Sequence, residues 1–209
     1  AMATQQVVPA YSRLKLLEAL DKLKPLILSP EEVRHVPRVL AEAGVRFVLV
    51  EPMAGSKLDG ACFWLEDDKP VIGMTLRFDR IDNFWFVLRH EIEHVLREDG
   101  KANNEAVIDT EVGEDKVELP ECERLANKAG AEFCVPSAEL ENFIARVQPY
   151  FSEEKVLRFA QRINVHPGLV VGQLQRRMGR HDFLRKHQVK VRALLLPSAD
   201  ADGWGSFTE

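Results

Sequence analysis

The chain contains few cysteines and no long hydrophobic run, and these two deficits exclude several classes of protein. Its 209 residues include only three cysteines, Cys62, Cys122 and Cys134, with no C-x-x-C pair. This odd, scattered set argues against a disulfide framework and favours a reducing compartment, which we expect to be the cytoplasm. No segment approaches the roughly eighteen uncharged apolar residues of a transmembrane helix, and no apolar signal region is predicted. We therefore expect no membrane partner.

An excess of positive charge is missing as well. The formal net charge is −5, so the chain has no general attraction for nucleic acid, and we expect no direct nucleic acid binding by this segment. Basic residues concentrate near the C-terminus, where a solvated face is the usual interpretation and a partner surface is the alternative. They are Arg176, Arg177, Arg180, Arg185, Lys186, Lys190 and Arg192.

Hydrophobic residues make up 45% of the chain, which is enough for the core of one domain of ordinary size. We predict a helical extension over 1–30, a main domain over 31–180, and a basic extension with a loose tail over 181–209. The first three residues are typical of an expression scar. The native protein is therefore expected to continue upstream, with 1–30 as the remnant of a linker to another domain.

Hydrophobic periodicity, caps and turn residues predict an α+β fold. Three short strands are expected at 45–50, 61–66 and 71–76. We expect them to form a small antiparallel sheet with 73–76 at its edge, next to the helix that follows. Helices are predicted at about 12–24, 29–43, 83–97, 120–135, from 137 onward, 153–163 and 169–177.

The helix predicted at 83–97 carries the sequence H-E-x-x-H at 90–94. His90 and His94 are four residues apart, so both imidazoles project from one face of a helix. Glu91 lies beside them, and two imidazoles with an adjacent carboxylate are the ligand pair and general base of a zinc hydrolase. A five-residue motif also arises by accident. The apolar residues of the opposite face, which fit a helix docked on a core, favour the metal site over chance. They are Ile81, Phe84, Leu88, Ile92 and Val95.

A third ligand is expected from the helix predicted at 120–135. Glu123 and Asn127 share one face of that helix. Glu123 can bind the metal, while Asn127 can accept a ring N–H from a ligating histidine and fix its tautomer. Glu121 and Glu132 are rivals for the ligand role, and the spacing to Asn127 favours Glu123.

Residues 98–118 are polar and acid-rich without periodicity, so they predict a loop over the site. A solvated insertion is the favoured interpretation and a substrate gate the alternative. A donor for a developing oxyanion is usually needed in peptide hydrolysis. His166, Tyr150 and His181 are candidates for this role, although each is more typical of a structural or solvated residue.

Three motifs in order resemble the ImmA/IrrE family of zinc metallopeptidases. They are H-E-x-x-H at 90–94, E-x-x-A-N at 123–127 and A-E-F-x-V-P at 131–136. The segments at 59–65 and 76–86 are similar to a subgroup in which this domain follows a helix-turn-helix domain and which is described as antitoxin-like regulators. The resemblance covers about residues 30–175.

The resemblance implies a minimal thermolysin-like, gluzincin-type fold with a small antiparallel sheet and additional helices packed on the H-E-x-x-H helix. It implies that His90, His94 and Glu123 bind Zn²⁺, that Glu91 is the catalytic carboxylate and that Asn127 orients a ligand. The implied activity is a cytoplasmic metalloendopeptidase whose protein substrate is a helix-turn-helix repressor, in transcription regulation or a stress response. One departure is Glu93, where many members have a small residue.

Two other interpretations stay open. The chain could be a catalytically weak sensing or partner-binding module, an antitoxin-like regulator domain that retains the zincin fold. It could also hold a purely structural zinc ion. The lack of a fourth Cys or His at suitable spacing argues against the structural site, because three protein ligands leave one position free for water.

Overall fold

A computed structural model describes residues 2–52, 55–66, 68–103, 105–110 and 119–202. The α-helices within these ranges are α1 (Met2–Gln5), α2 (Arg13–Leu23), α3 (Val36–Glu42), α4 (Ile81–Arg97), α5 (Glu121–Cys134), α6 (Ser137–Val147), α7 (Glu153–Arg162), α8 (Pro167–Met178) and α9 (Arg192–Leu195). The strands are β1 (Arg46–Leu49), β2 (Leu58–Leu65), β3 (Lys69–Met74), β4 (Val107–Thr110) and β5 (Asp200–Ala201). Short 3-10 helices lie at Lys24–Leu28, Pro30–His35, Arg185–His187 and Leu196–Ser198.

The described strands form one mixed sheet in the order β4-β2-β3-β1-β5. β1 runs parallel to β3 and β5, whereas β2 runs antiparallel to β3 and β4. The α+β class is confirmed, but the expectation of an antiparallel sheet is wrong, because the chain passes from β1 to the far side of β3 before it turns back. The expectation that 73–76 forms the edge is also wrong, since Gly73 pairs with both Val48 and Ala61.

Helix α4 lies against the sheet and against α5 and α8. The five apolar residues predicted to face the core are all buried, at 0% or 1% exposed. Trp85, also fully buried, contacts Phe84 and Phe133 through its ring. This packing fixes the rotation of α4 about its axis, so its other face has a defined direction in the molecule.

Helix α5 approaches α4 unusually closely. A Cβ at Gly130 would lie 2.8 Å from the backbone oxygen of Phe86, a distance that real Cβ atoms do not tolerate. Glycine is therefore required for this crossing. Because Glu123 lies two turns before Gly130 on α5, the close crossing brings its carboxylate toward the motif of α4.

Two local predictions are wrong. The helix expected at 29–43 is a 3-10 helix, Pro30–His35, followed by α3, because Pro37 in the first turn of α3 has no N–H for an uninterrupted α-helix. The segment 98–118, expected as a loop, contains β4, which pairs with β2. Residues 111–118 of that segment and 203–209 of the tail lie outside the described residues.

The helical extension over 1–30 and the C-terminal extension contribute to the same core as α4 through Leu16, Leu23 and Leu195. The division into three units stays a prediction. Much of the basic C-terminal region is paired with acids: Arg177 with Glu141, and Lys186 with Glu153. None of the described helices combines the length and the apolar composition of a membrane-spanning helix.

Candidate metal centre

Helix α4 directs two imidazoles at one point. The Nε2 atoms of His90 and His94 lie 3.0 Å apart, and both side chains are fully buried. Two nitrogens bound tetrahedrally to zinc, at about 2.0–2.1 Å from it, would lie roughly 3.3 Å apart. The pair is therefore close to the spacing that a shared ion requires.

Helix α5 supplies a carboxylate to the same point. Glu123 Oε2 lies 3.4 Å from His90 Nε2, and Oε1 lies 3.5 Å from His94 Nε2. Of the rivals, Glu121 is exposed, and Glu132 accepts a hydrogen bond from the backbone N–H of Ser137 at 2.9 Å. Glu123 is thus the glutamate of α5 that the structure brings to the imidazoles.

A second carboxylate, from Asp109 on β4, reaches the same group. Its Oδ2 lies 3.5 Å from His90 Nε2 and 3.6 Å from His94 Nε2. Ligand atoms of His90, His94, Asp109 and Glu123 all lie within 4.8 Å of one another. Sequence reasoning missed Asp109. The local pattern that could have indicated Asp109 is a short alternation of burial, in which Val107 and Asp109 are more buried than their neighbours in a polar segment.

The four side chains fit a divalent cation. The separations of 3.4–3.6 Å between imidazole nitrogens and carboxylate oxygens exceed normal hydrogen bonds but match donors arranged around one ion. Asp109 Oδ2 is buried and has no hydrogen-bond partner among the described residues, as expected for an oxygen reserved for a ligand. Imidazole nitrogens and carboxylate oxygens are ligands that zinc accepts.

The electrostatics of the group also favour a cation. Burial alone lowers the pKa of His90, but its interactions with Asp109 and Glu123 outweigh burial and raise the pKa to about 9. Burial raises the pKa of Asp109, yet its interactions with His90 and His94 bring that pKa below its ordinary value. Without a metal ion, a proton on His90 balances the two carboxylates. A metal ion must displace that proton.

The outer nitrogen of His94 is held by Asp99. Nδ1 of His94 lies 2.9 Å from Asp99 Oδ2, so an N–H at Nδ1 can donate to the carboxylate and leave Nε2 free for a ligand. Asp99 follows directly after the end of α4, where Glu98 adopts a left-handed backbone conformation with φ 59°. Trp64 Nε1 donates to the backbone oxygen of Asp99 at 3.1 Å and fixes this turn.

The role predicted for Asn127 is not visible as a hydrogen bond. Asn127 Oδ1 and His90 Nδ1 are both buried without a hydrogen-bond partner in the described ranges. The carboxylate that orients a histidine in this structure is Asp99, which sequence reasoning missed. That Asn127 orients His90 stays a prediction.

Glu91 is fully buried beside the group, and neither carboxylate oxygen has a hydrogen-bond partner among the described residues. Gly60 makes room for it, because a Cβ at position 60 would overlap Glu91 Oε1. Burial, followed by the nearby charge of Asp109, raises the pKa of Glu91 well above that of an ordinary glutamate. Glu93 instead pairs with Arg89 at 2.7 Å and lies outside the four-residue group.

The candidate oxyanion donors are not part of this group. His166 caps α8 by accepting a hydrogen bond from the backbone N–H of Gly168 at 3.0 Å. Tyr150 is 79% exposed, and His181 is also on the surface. The structure thus gives His166 a local structural role and assigns none of the three to the metal centre.

No model of a known protein family matches the chain, and no curated protein matches it either. The four-residue group and Glu91 are therefore the features of the described chain that indicate a function. The structure shows an arrangement of two histidines and two carboxylates that could hold a metal ion.

Proposed function

We propose that the chain is a zinc-dependent endopeptidase acting on a protein substrate in the cytoplasm. One observation carries the proposal: Glu91, adjacent in sequence to His90, presents a fully buried carboxylate with no hydrogen-bond partner next to the four converging side chains. Burying even an uncharged polar group without a hydrogen-bond partner costs roughly 2–7 kcal/mol. A catalytic role is a common reason why a protein keeps such a carboxyl group.

We assign the residues the following roles. Zinc held by His90, His94 and Glu123 would polarise a peptide carbonyl and lower the pKa of the attacking water toward about 7. Glu91 would take the proton of that water on a carboxylate oxygen. The same carboxyl group would then deliver that proton to the leaving amine. Asp99 would hold the His94 ring so that Nε2 keeps its direction.

The substrate class rests on the resemblance alone. The motif set implies a cognate transcriptional repressor, so we propose a helix-turn-helix repressor as the protein substrate. The metal centre, with Glu91 beside it, is consistent with hydrolysis of a peptide bond.

The test uses purified protein loaded with zinc and fluorescently labelled casein as an unfolded substrate. We expect chelator-sensitive cleavage by the wild type, and a loss of at least about a hundredfold in Glu91→Gln with its zinc still bound. Glu93→Gln makes the same chemical change two residues away, outside the group, and should cleave normally. Equal cleavage by Glu91→Gln and wild type would refute the assigned role, as would loss of zinc from Glu91→Gln.

The competing function is a partner-binding module without turnover, in which the zinc ion would have a structural role. One observation favours it: Asp109 supplies a fourth donor, and a centre with four protein ligands is typical of structural zinc. The group contains no fourth Cys or His, and an aspartate lies in that place. Stable binding of a candidate repressor without any cleaved product would favour this module over the peptidase.

A further inference from the structure

Strand β4 crosses the metal centre at one end of the described sheet. It pairs antiparallel with β2 alone, with Val107 opposite Cys62, Ile108 opposite Ala61 and Asp109 opposite Gly60. The register shifts between Leu58 and Gly60, so the pairing is irregular at Asp109. A four-residue end strand with an irregular ladder is among the less stable parts of a sheet.

Asp109 is the most buried side chain of β4. Ile108 is 64% exposed, Thr110 is also exposed, and Val107 is only partly buried. Asp109 is 4% exposed, and its Oδ2 has no hydrogen-bond partner among the described residues. The backbone ladder to β2, the packing of Val107 against the core and the carboxylate of Asp109 hold this strand in place. By contrast, His90 and His94 lie on α4 and Glu123 lies on α5, and close packing fixes the crossing of these two helices.

The position of Asp109 coincides with the place where a substrate must bind. Its partner in the sheet is Gly60, and Gly60 is the residue against which Glu91 packs. A reacting carbonyl would have to lie within reach of both the metal donors and Glu91. The carboxylate of Asp109 lies there, since it contacts both imidazoles and its charge acts on Glu91.

We propose that β4 holds the metal centre closed, with Asp109 as an exchangeable fourth ligand, and that an extended segment of the substrate displaces β4 from β2. The inference rests on the proposed peptidase function and adds its regulation. An incoming strand would replace the β4 ladder by adding to the same edge of β2, as peptides do in β-strand addition. One set of backbone hydrogen bonds would replace another, and the exchange would also break the Asp109 contact and the packing of Val107 against the core.

The first test measures coordination without activity. The full chain is loaded with Co²⁺ in place of zinc, and its visible absorption is compared for wild type, Asp109→Ala and Asp109→Asn. Glu105→Gln is the matched control, because it removes one exposed acid just before β4 and outside the group. We expect both Asp109 variants to change the spectrum and Glu105→Gln to match the wild type. Unchanged spectra in both Asp109 variants would overturn the proposal.

The second test asks whether loss of Asp109 opens the centre. Acetohydroxamate, a small chelating ligand, is titrated against each cobalt-loaded protein. We expect binding at least about tenfold tighter to Asp109→Ala than to the wild type, because the ligand no longer competes with a carboxylate. Equal affinity for the two proteins would overturn the closed state. Thermal melting of both Asp109 variants confirms that they are folded.

Cleavage of labelled casein then separates the inference from the proposed function. We expect Asp109→Ala to cleave at least about tenfold faster than the wild type, and Asp109→Ala combined with Glu91→Gln not to cleave. An opened centre that binds hydroxamate but cleaves nothing would refute the peptidase while upholding the closure by Asp109. Slower cleavage by Asp109→Ala than by the wild type would instead indicate that Asp109 is a fixed ligand, and it would overturn the proposal.

Discussion

Replacing Asp99 by Asn should weaken metal binding although Asp99 is not one of the four converging residues. The carboxylate lies 2.9 Å from His94 Nδ1, whose ring is fully buried. A charged acceptor at this distance fixes the tautomer and makes Nε2 a better ligand. Loss of such a partner typically lowers metal affinity about 10–100-fold, which corresponds to roughly 1.4–2.7 kcal/mol.

The assay is competition for zinc between the protein and a chromophoric chelator at fixed pH. Glu98→Gln is the matched control, because it removes one negative charge from the preceding residue, which pairs with Lys101 at 2.9 Å. We expect Glu98→Gln to keep wild-type affinity. If Asp99→Asn binds zinc as tightly as Glu98→Gln, the carboxylate does not support His94 and the reasoning is refuted.

Two further predictions follow, one from the packing at Gly60 and one from the raised pKa of His90. Gly60→Ala should lower the free energy of unfolding by about 1–3 kcal/mol in urea denaturation, because the new Cβ overlaps Glu91. Gly73→Ala is the control and should lower it less, because its Cβ meets ordinary contacts from 3.8 Å. Equal losses of stability in the two variants would contradict the packing of Glu91 on Gly60. The metal-free protein should become less stable as pH rises from about 6.5 to about 9, because the folded state holds a proton on His90 that the unfolded state has already released. A free energy of unfolding that rises over this range would contradict the raised pKa of His90.

Three of the predicted ligands, His90, His94 and Glu123, lie together in the structure, and each was indicated by a local pattern in the sequence. His90 and His94 are four residues apart on one helix, and the apolar residues of the opposite face show which side of that helix faces the core. Glu123 is further away in sequence, but it lies on a helix with its own periodic pattern. Spacing along a helix is a local property, so these three residues could be predicted from the sequence alone.

The residues that were missed depend on contacts between distant parts of the chain. Asp109 reaches the centre only because β4 pairs with β2, at residues almost fifty positions earlier, and a polar segment of this kind has no period that predicts a strand. Asp99 reaches His94 only because the backbone reverses at Glu98. For the same reason, the central position of β3 could not be predicted, since strand order depends on how distant segments pair.

Metal content is the most direct test of the central claim, the convergence of α4, α5 and β4 on one divalent ion. Purified wild type, His90→Ala and Glu123→Gln are dialysed against zinc and then against buffer, and zinc per chain is measured by elemental analysis. The account predicts one zinc per chain in the wild type and a large loss in both variants. A wild type without zinc, or a His90→Ala variant that retains it fully, would contradict the account.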